Sequence, residues 1–354
     1  MQSENKISSV RDLSHITEQD LFVSIIIPVK EINSFIRQAI PHLLGLDHNR
    51  FEVLLLPDKG SLDELTHLVD PQGPGVTVLP TGSKGPAEKR NIGSKKARGD
   101  LLAFIDDDAY PEIDWLKKAA VHFSKPGVAA VGGPALTPKE NTFWQKVSGA
   151  VFLSRLGAGN PERYWPVGKI RSVDDWPSVN LIVRRKDFIR VGSFDTKYWP
   201  GEDTLLCKTL THDLGKKIIY DPSLIVWHHR RSSIITHLKQ VGRYGLHRGY
   251  FAKRFPENSR KLTYFMPSIF LLALLIGGIL TFTKNLILVK SYIVIIVVYL
   301  TGLFFAFLEI IRRETTLSVA VSSIPYILLT HLFYGYSFLK GFVWTDEMSI
   351  KLNE

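Results

Sequence analysis

Cysteine is almost missing from this chain, since Cys207 is the single one among 354 residues. A lone cysteine excludes an intramolecular disulfide and a metal site built from several cysteines, and it is consistent with a reducing compartment. The Gly-x-Gly-x-x-Gly fingerprint does not follow the first apolar run, which weighs against a dinucleotide-binding fold of the usual kind. Nucleic-acid-binding motifs are missing too, although the formal net charge is +10, so we expect no nucleic-acid partner.

Long uncharged runs are absent from the first 260 residues, whereas three follow, at residues 264–283, 291–308 and 315–339. Each is long enough to cross a hydrocarbon core of about 30 Å as a helix. Basic residues precede the first run and follow the second, and such flanks favour the cytoplasmic side. These flanking residues are Lys253, Arg254, Arg260, Lys261, Arg312 and Arg313. We therefore expect a multi-pass protein of an inner or plasma membrane, with a membrane domain at 261–354 and residues 1–260 in the cytoplasm.

Apolar and amphipathic segments alternate before those runs. Strand-like segments at residues 22–29, 51–56, 76–79 and 101–105 are interleaved with helical patterns at 31–44 and 87–98. This alternation predicts an α/β domain with a mostly parallel sheet that binds ligands at the carboxyl ends of its strands. We place the domain at 21–231, after a flexible segment at 1–20. A basic amphipathic pattern at 234–255 predicts an interfacial helix within 232–260, next to the membrane.

Three consecutive carboxylates, Asp106, Asp107 and Asp108, follow the strand predicted at 101–105. Adjacent like charges repel one another on a rigid strand end unless a cation binds there. Side chains alternate along an extended chain, so Asp106 and Asp108 point the same way and Asp107 the other. Two carboxylates on one side suit Mg²⁺ or Mn²⁺, which complete their shells with water and substrate phosphates. The alternative, from these residues alone, is an acidic turn.

A second polar cluster lies between residues 202 and 231. Glu202 and Asp203 stand at a predicted helix N-terminus, where they either cap the helix or supply a general base. A later strand-like segment leads into His228, His229, Arg230 and Arg231. A histidine at a strand tip is a candidate third metal ligand, and arginines can bind a diphosphate through two parallel hydrogen bonds. A pair of solvated histidines accounts for these residues equally well.

The ordered motifs resemble those of the membrane-anchored branch of family 2 glycosyltransferases, which are inverting enzymes of the GT-A fold. The match covers about residues 22–250, and it is the order of the motifs that makes it specific. Its segments are Val-Ser-Ile-Ile-Ile-Pro-Val at 23–29, Asp58, Lys89-Arg90-Asn91, Asp106-Asp107-Asp108, Asn180, Gly-Ser-Phe-Asp at 192–195, Gly-Glu-Asp at 201–203, His228 and Gln-Val-Gly-Arg-Tyr at 240–244.

The resemblance implies a role for each matched position. Residues expected to bind the nucleotide sugar are Pro28, Lys30, Glu31, Asp58, Arg90, Asp106 and Asp107. Those expected to hold Mg²⁺ or Mn²⁺ are Asp106, Asp108 and His228. The Glu202-Asp203 pair is expected to supply the catalytic base, Asp203. Residues expected near the acceptor or the leaving diphosphate are Asn180, Gln240, Arg243, Tyr244, Arg230 and Arg231.

This chain departs from the family pattern in three places. Pro57 precedes Asp58 where a second acidic residue is common, Tyr244 replaces the usual tryptophan of the QxxRW motif, and no membrane span precedes the catalytic domain. The last two argue against a processive polysaccharide synthase. The resemblance therefore implies transfer of one sugar, from a UDP- or GDP-sugar to a membrane-associated or lipid-linked acceptor, in cell-envelope glycan biosynthesis. The alternatives are a nucleotidyltransferase of GT-A-like fold and a non-catalytic membrane scaffold.

Overall fold

The computed structural model describes residues 21–65, 75–283, 285–313 and 316–348. The segment 1–20, expected to be flexible, lies outside these residues. The strands are β1 (Val23–Pro28), β2 (Phe51–Leu56), β3 (Val76–Val78), β4 (Leu101–Phe104), β5 (Ala109–Pro111), β6 (Val128–Gly132), β7 (Ala135–Leu136), β8 (Arg171–Val173), β9 (Leu181–Arg184), β10 (Lys217–Tyr220) and β11 (Val226–His228). The helices are α1 (Ser34–Leu44), α2 (Pro86–Lys96), α3 (Trp115–His122), α4 (Phe143–Ala150), α5 (Arg155–Ala158), α6 (Arg185–Arg190), α7 (Glu202–Lys208), α8 (Ile234–Arg254), α9 (Pro256–Ser259), α10 (Leu262–Leu280), α11 (Leu286–Arg313) and α12 (Leu317–Leu339).

Eight of the described strands form one sheet in the order β3-β2-β1-β4-β9-β6-β10-β8. The strands β1, β2, β3 and β4 are parallel, as expected, because α1 and α2 cross between them. Two strands depart from the parallel arrangement. Strand β9 runs antiparallel to both β4 and β6, and β8 runs antiparallel to β10. The prediction of a mostly parallel α/β sheet is confirmed, with a mixed second half.

Both faces of this sheet are covered. The first core lies under α1 and α3 and includes Ile25, Ile27 and Trp115, all fully buried. The second lies on the opposite face and includes Phe104, Phe188 and Trp176. Strands such as β1 and β4 are buried along their whole length and are apolar except for Ser24, as a sheet buried on both faces requires.

A second, three-stranded sheet positions the functional residues. Its order is β5-β11-β7, with β11 antiparallel to β5. In this register His228 is the partner of Ala109, the residue that follows Asp108. The amide of His229 also donates to the carbonyl of Asp108, at 2.9 Å. The pairing therefore joins the triple aspartate to the histidine-arginine segment, which is 120 residues later in the chain.

Three described helical segments, Leu262–Thr283, Leu286–Arg313 and Leu317–Trp344, are long and apolar enough to cross a membrane. The helices α10 and α11 form a hairpin in which the Phe270 ring stacks on Tyr299 at 3.8 Å. In contrast, α12 packs against the catalytic domain and against α8. The helix predicted at 234–255 is present as α8. Gly245 and Gly249 of α8 touch the backbone of α12, so closely that a Cβ atom at either glycine would overlap the carbonyl oxygen of Tyr334 or Phe338.

Candidate active site

One cavity of about 1,320 Å³ runs from the carboxyl end of β4 to the helices α8, α10, α11 and α12. Asp106, Asp108 and Asp203 line its inner end. Met266, Phe270 and Val298 line the other end, which is apolar. The cavity thus connects a cluster of carboxylates directly to the candidate membrane helices.

At the inner end, Asp106, Asp108 and His228 form a cluster. One ligand atom from each lies within 4.8 Å of the others, which is close enough for a single cation. Asp107 points away from this cluster, and its carboxylate accepts a bond of 3.4 Å from the Asn33 amide. Burial and the charges of Asp108 and Asp106 raise the pKa of Asp107 to about 6. Asp106 and Asp108 thus lie on one side and Asp107 on the other, but residues 107 and 108 form a turn instead of the expected extended segment, with the Ala109 amide donating to the Asp106 carbonyl at 3.3 Å.

The donor set fits a divalent cation, with one adjustment. Two carboxylates and one imidazole are oxygen and nitrogen donors of the kind that Mg²⁺ and Mn²⁺ accept. His228 Nε2 lies 3.0 Å from Asp108 Oδ1, and Arg230 donates to His228 Nδ1 at 3.0 Å. Because a guanidinium only donates, Nε2 carries the imidazole proton in this arrangement. Nε2 can therefore bind a cation only when Arg230 turns away and the proton moves to Nδ1.

Asp108 is held ionised by its neighbours. Burial would raise the pKa of this carboxyl, but the charges of His228, Arg231 and Arg230 lower it to about 2. Arg231 Nη1 lies 3.4 Å from Asp108 Oδ2. Arg230 lies against the ring of Tyr164, at 5.3 Å, and donates to Thr137 at 3.1 Å. The two arginines predicted near the diphosphate both line the cavity.

Arg90 on α2 bridges the two acidic groups. Its Nη2 lies 2.6 Å from Asp106 Oδ1, and its Nη1 lies 2.8 Å from Glu202 Oε1. Glu202 is at the start of α7 and is buried, so its charge is compensated mainly by Arg90. Burial and the nearby Asp203 raise the pKa of Glu202, and Arg90 opposes that rise. Glu202 therefore connects the α7 terminus to the aspartate cluster rather than facing solvent.

Asp203 is the acid of this pair that is free to meet a substrate. It is only partly buried, it lines the cavity, and its contacts are backbone amides: Ser178 N at 3.2 Å and Thr204 N at 2.7 Å. Burial and the charge of Asp175 raise its pKa above the ordinary value. A carboxylate with a raised pKa is a stronger base than an exposed aspartate. Glu202 and Asp203 are the first two residues of α7, whose N-cap is Gly201, so neither is the capping residue; Glu202 lies in the ion pair and Asp203 in the cavity.

The residues predicted at the nucleotide lie along one rim, near the ends of β1 and β2. Pro28 lines the cavity, while Lys30 and Glu31 are exposed beside it. The amide of Asp58 donates to the carbonyl of Lys30, at 3.0 Å, so these loops are joined. Lys89 forms an ion pair with Asp58 and donates to the Val29 carbonyl at 2.5 Å. The sequence analysis gave no role to Lys89, which is the cation that fixes Asp58.

Three predicted residues lie on the cavity wall formed by α8. Gln240, Arg243 and Tyr244 all face the cavity, and Gln240 donates to the Tyr244 hydroxyl at 3.0 Å. They lie four residues or fewer apart, so one helical face presents them together. This wall is continuous with Arg231 and the aspartate cluster.

The prediction that Asn180 lies near the acceptor or diphosphate is wrong. Its side chain is fully buried. It accepts from the Trp115 indole at 2.9 Å and donates to the carbonyls of Pro134, at 3.1 Å, and Leu224, at 2.7 Å. All its polar atoms are used in tying β9 to the loops around β7 and β11, so none reaches the cavity.

Sequence reasoning also missed a buried ionic cluster near Asp203. Asp175 lies between two arginines, with its Oδ2 2.8 Å from Arg163 and 3.0 Å from Arg248. Burial would raise the pKa of Asp175, but the charges of Arg248 and Arg163 hold it well below its usual range. All three residues line the cavity. No sequence signal could have joined them, because Arg248 follows Arg163 by 85 residues and lies on α8, outside the α/β domain.

The sequence of this chain matches the model of a known protein family. The family model described as Glycosyl transferase family 2 matches residues 24–187, which hold β1, the Lys89-Arg90 pair and the triple aspartate. The match spans a little under half of the chain and assigns a family 2 glycosyltransferase domain to residues 24–187. This domain and its α/β fold agree with the resemblance drawn from the motifs.

Two curated relatives with glycosyltransferase names are similar to this chain. A pre-mycofactocin glycosyltransferase of Mycobacterium tuberculosis is 29% identical over 68% of this chain and 49% of its own length. The chain thus spans about half the length of that relative. A dolichyl N-acetyl-alpha-D-glucosaminyl phosphate 3-beta-D-2,3-diacetamido-2,3-dideoxy-beta-D-glucuronosyltransferase of Methanococcus voltae is 23% identical over 91% of this chain and 97% of its own length.

A solved structure has a similar fold over nearly the whole of this chain. It is a mannosyltransferase from Pyrobaculum calidifontis in complex with GDP-Man and Mn²⁺, and the two structures superpose with a TM-score of 0.53. The identity is 16%, with 92% of this chain and 88% of that chain covered. The superposition supports the fold alone.

Proposed function

We propose that this protein is an inverting glycosyltransferase that transfers one sugar from a UDP- or GDP-sugar to a lipid-linked acceptor at a membrane surface. The observation that carries the proposal is the single cavity that joins Asp203 and the aspartate cluster to the apolar helices α10 and α11. An acceptor with a long apolar chain can then reach the base without leaving the bilayer. The names of the Methanococcus relative, with its dolichyl phosphate acceptor, and of the GDP-Man complex support the same two substrate classes.

Asp203 is the proposed general base. It would take the proton from the acceptor hydroxyl while that oxygen attacks the anomeric carbon from the face opposite the leaving diphosphate, which inverts the configuration. Its two backbone hydrogen bonds hold the carboxylate in place, and its raised pKa increases its basicity. General-base catalysis of this kind typically contributes about 10² to 10⁴ in rate.

The diphosphate would lie between Asp106, Asp108 and the arginines that follow β11. When bound, Mg²⁺ or Mn²⁺ neutralises charge that develops on the leaving phosphates. Arg231, which is half-exposed and faces Asp108, is positioned to donate charge-assisted hydrogen bonds to the same oxygens. On the nucleotide side, Lys89 keeps Asp58 oriented at the ends of β1 and β2.

The test is thermal stabilisation of the protein in detergent by UDP and by GDP, each with Mn²⁺, with Mg²⁺ and with EDTA. A ligand at about 100 times its dissociation constant stabilises a folded protein by about 2.7 kcal/mol, which is readily measured. We expect one nucleotide to stabilise the protein only with the cation, and Asp108→Asn to remove the effect. Asp114→Asn is the matched control, because Asp114 pairs with Lys118 outside the cavity. Equal stabilisation of Asp108→Asn and the wild type would contradict the metal site.

A further inference from the structure

The cluster of Arg163, Asp175 and Arg248 lies between Asp203 and the apolar end of the cavity. Arg248 donates to Thr204, the residue after Asp203, at 3.3 Å. Its guanidinium also lies over the ring of Tyr264 on α10, at 4.6 Å. The cluster is therefore next to the proposed base on one side and next to a candidate membrane helix on the other.

The polar groups of this cluster are incompletely paired. Two guanidiniums share the one carboxylate of Asp175, and the buried Nε of Arg163 has no hydrogen-bond partner within the described chain. His247, the residue before Arg248 on α8, lines the same cavity. Its buried Nδ1 also has no hydrogen-bond partner among the described residues. The side chains of Arg163 and Arg248 are 17% and 15% exposed and both line the cavity, so part of each guanidinium is open to a polar ligand there.

The walls on either side differ in character. On α8, the cavity face carries the cations Lys239, Arg243 and Arg248. Facing it, α10 and α11 contribute Pro267, Ile269, Phe270, Ala273, Ile295 and Val298. A ligand that satisfies both walls has an anionic group attached to an apolar chain.

We propose that Arg163 and Arg248 bind the phosphate of the lipid-linked acceptor. This rests on the proposed function, and it specifies the acceptor as a sugar attached through a phosphate to an apolar chain. The sugar hydroxyl lies at Asp203, the phosphate at the two guanidiniums, and the chain along α10 and α11. Arg163 and Arg248 are then distinct from Arg230 and Arg231, which serve the donor diphosphate.

The experiment measures binding of farnesyl phosphate, farnesol and inorganic phosphate to the full-length protein in detergent. We expect farnesyl phosphate to bind more tightly than either of the other two, and Arg163→Gln and Arg248→Gln each to weaken it about tenfold or more, the size of a lost charge-assisted hydrogen bond. Arg248→Lys keeps the charge and should restore part of the binding. Arg254→Gln, an exposed cation on the same helix, should change nothing.

Nucleotide binding separates the outcomes. If UDP or GDP still stabilises Arg163→Gln and Arg248→Gln, these variants are folded, and unchanged farnesyl phosphate binding would refute the phosphate site while leaving the proposed function intact. Equal binding of farnesol and farnesyl phosphate would refute it as well. If neither nucleotide stabilises the wild type, the proposed function itself fails.

A second inference rests on the pairing of α8 with α12. The two helices run side by side in the same direction: His237 contacts Thr330 at 2.8 Å, Gly245 meets Tyr334, and Lys253 donates to the Thr345 carbonyl at 2.7 Å. Helix α8 carries five lysines and arginines and follows directly from the catalytic domain, so it cannot lie in the hydrocarbon core. The second half of α12 therefore lies outside the core too.

The first half of α12 is also bound to the catalytic domain. The Trp144 ring of α4 stacks on Tyr326, and Val319 and Ala320 belong to a core shared with Val147 and Val151. In contrast, α10 contacts α8 and α12 through its first two turns, at Tyr264, Phe265 and Ser268. The second half of α11 joins the same core through Leu303, Ala306 and Ile310. Lys261 pairs with Asp174 at 2.5 Å before α10, and Arg313 at the end of α11 donates to the Leu153 carbonyl.

We infer that α10 and α11 cross the bilayer as a hairpin, while α12 lies at the membrane surface on the side of the catalytic domain. The expected three spans then become two, and Asp346 shares the side of the domain. The test uses C207A, in which single cysteines are introduced as S61C, N285C and D346C, and a membrane-impermeant maleimide applied to sealed vesicles of each orientation. We expect D346C to be labelled with S61C, and N285C from the opposite side. Labelling of D346C with N285C supports three spans and refutes the inference, as does labelling of all three from one side.

Discussion

Arg90 is the residue whose removal should have the largest effect on the catalytic domain. Its side chain is 5% exposed and holds both Asp106 and Glu202. Replacing it with methionine leaves the Glu202 carboxylate, 4% exposed, without its cation. Removing one partner of a buried ion pair costs about 3–5 kcal/mol, which for a domain of this size lowers Tm by roughly 6–20 °C. The cost should grow as pH rises, because a buried acid with a raised pKa stabilises the fold while protonated and loses that contribution on ionising.

Thermal unfolding of Arg90→Met at pH 6 and pH 9 measures this effect. The double variant Arg90→Met, Glu202→Gln carries no charge at position 202, so it should recover much of the loss and show little change between the two pH values. Lys96→Met is the matched control, because Lys96 is an exposed cation on the same helix, α2. A double variant as unstable as Arg90→Met, or a single variant with a Tm within about 2 °C of the wild type, would refute the reasoning.

Four further predictions concern other parts of the molecule. Asp203→Asn should lower kcat by about 10² to 10⁴ with nucleotide binding unchanged; a mild loss would indicate an acceptor oxygen that is already ionised. Burial lowers the pKa of His237 to about 4, whereas in the unfolded chain this histidine titrates near its ordinary value of about 6.5. This residue alone should therefore cost about 2 kcal/mol of stability from pH 7 to pH 5, and in urea titrations His237→Gln should reduce the loss by about that amount. Gly249→Ala should destabilise by about 1–3 kcal/mol through overlap with the Phe338 carbonyl, whereas Gly242→Ala, which meets only Ser337 Oγ at 3.4 Å, should not. Asp203 has a pKa raised by burial and by Asp175, so the acidic limb of kcat/KM should lie above the range of an exposed aspartate, and a limb at about 4 would contradict it.

Local patterns predicted most of the catalytic domain. Mostly apolar runs marked β1, β2 and β4, and the helical spacing of apolar residues marked α1. The carboxylates at the end of β4 indicated a cation site for a physical reason, the repulsion of adjacent charges. The antiparallel direction of β9 was not predictable, because a buried strand has the same apolar composition in either direction.

Contacts between residues that are far apart in the chain could not be predicted from the sequence. The Arg163–Asp175–Arg248 cluster joins three separate segments, and nothing local marks its members. Asn180 matched a family motif by position. In the structure its hydrogen bonds to Trp115 and to two carbonyls hold the core together instead of binding a substrate. Hydropathy indicated α12 as a membrane span because hydropathy records composition alone. The contact of α12 with the glycines of α8 is visible only in the structure.

Transfer of a radiolabelled sugar to an organic-soluble product tests the central claim most directly. The protein in lipid nanodiscs is given UDP- and GDP-sugars, Mn²⁺ and a lipid extract that contains sugar-phosphate lipids, and the label is followed into the organic phase. The account predicts transfer from one nucleotide class that stops with EDTA or with Asp203→Asn, and a product of inverted anomeric configuration. Two results would contradict the central claim. One is transfer to a neutral hydroxyl that persists in Asp203→Asn, and the other is a product of retained configuration.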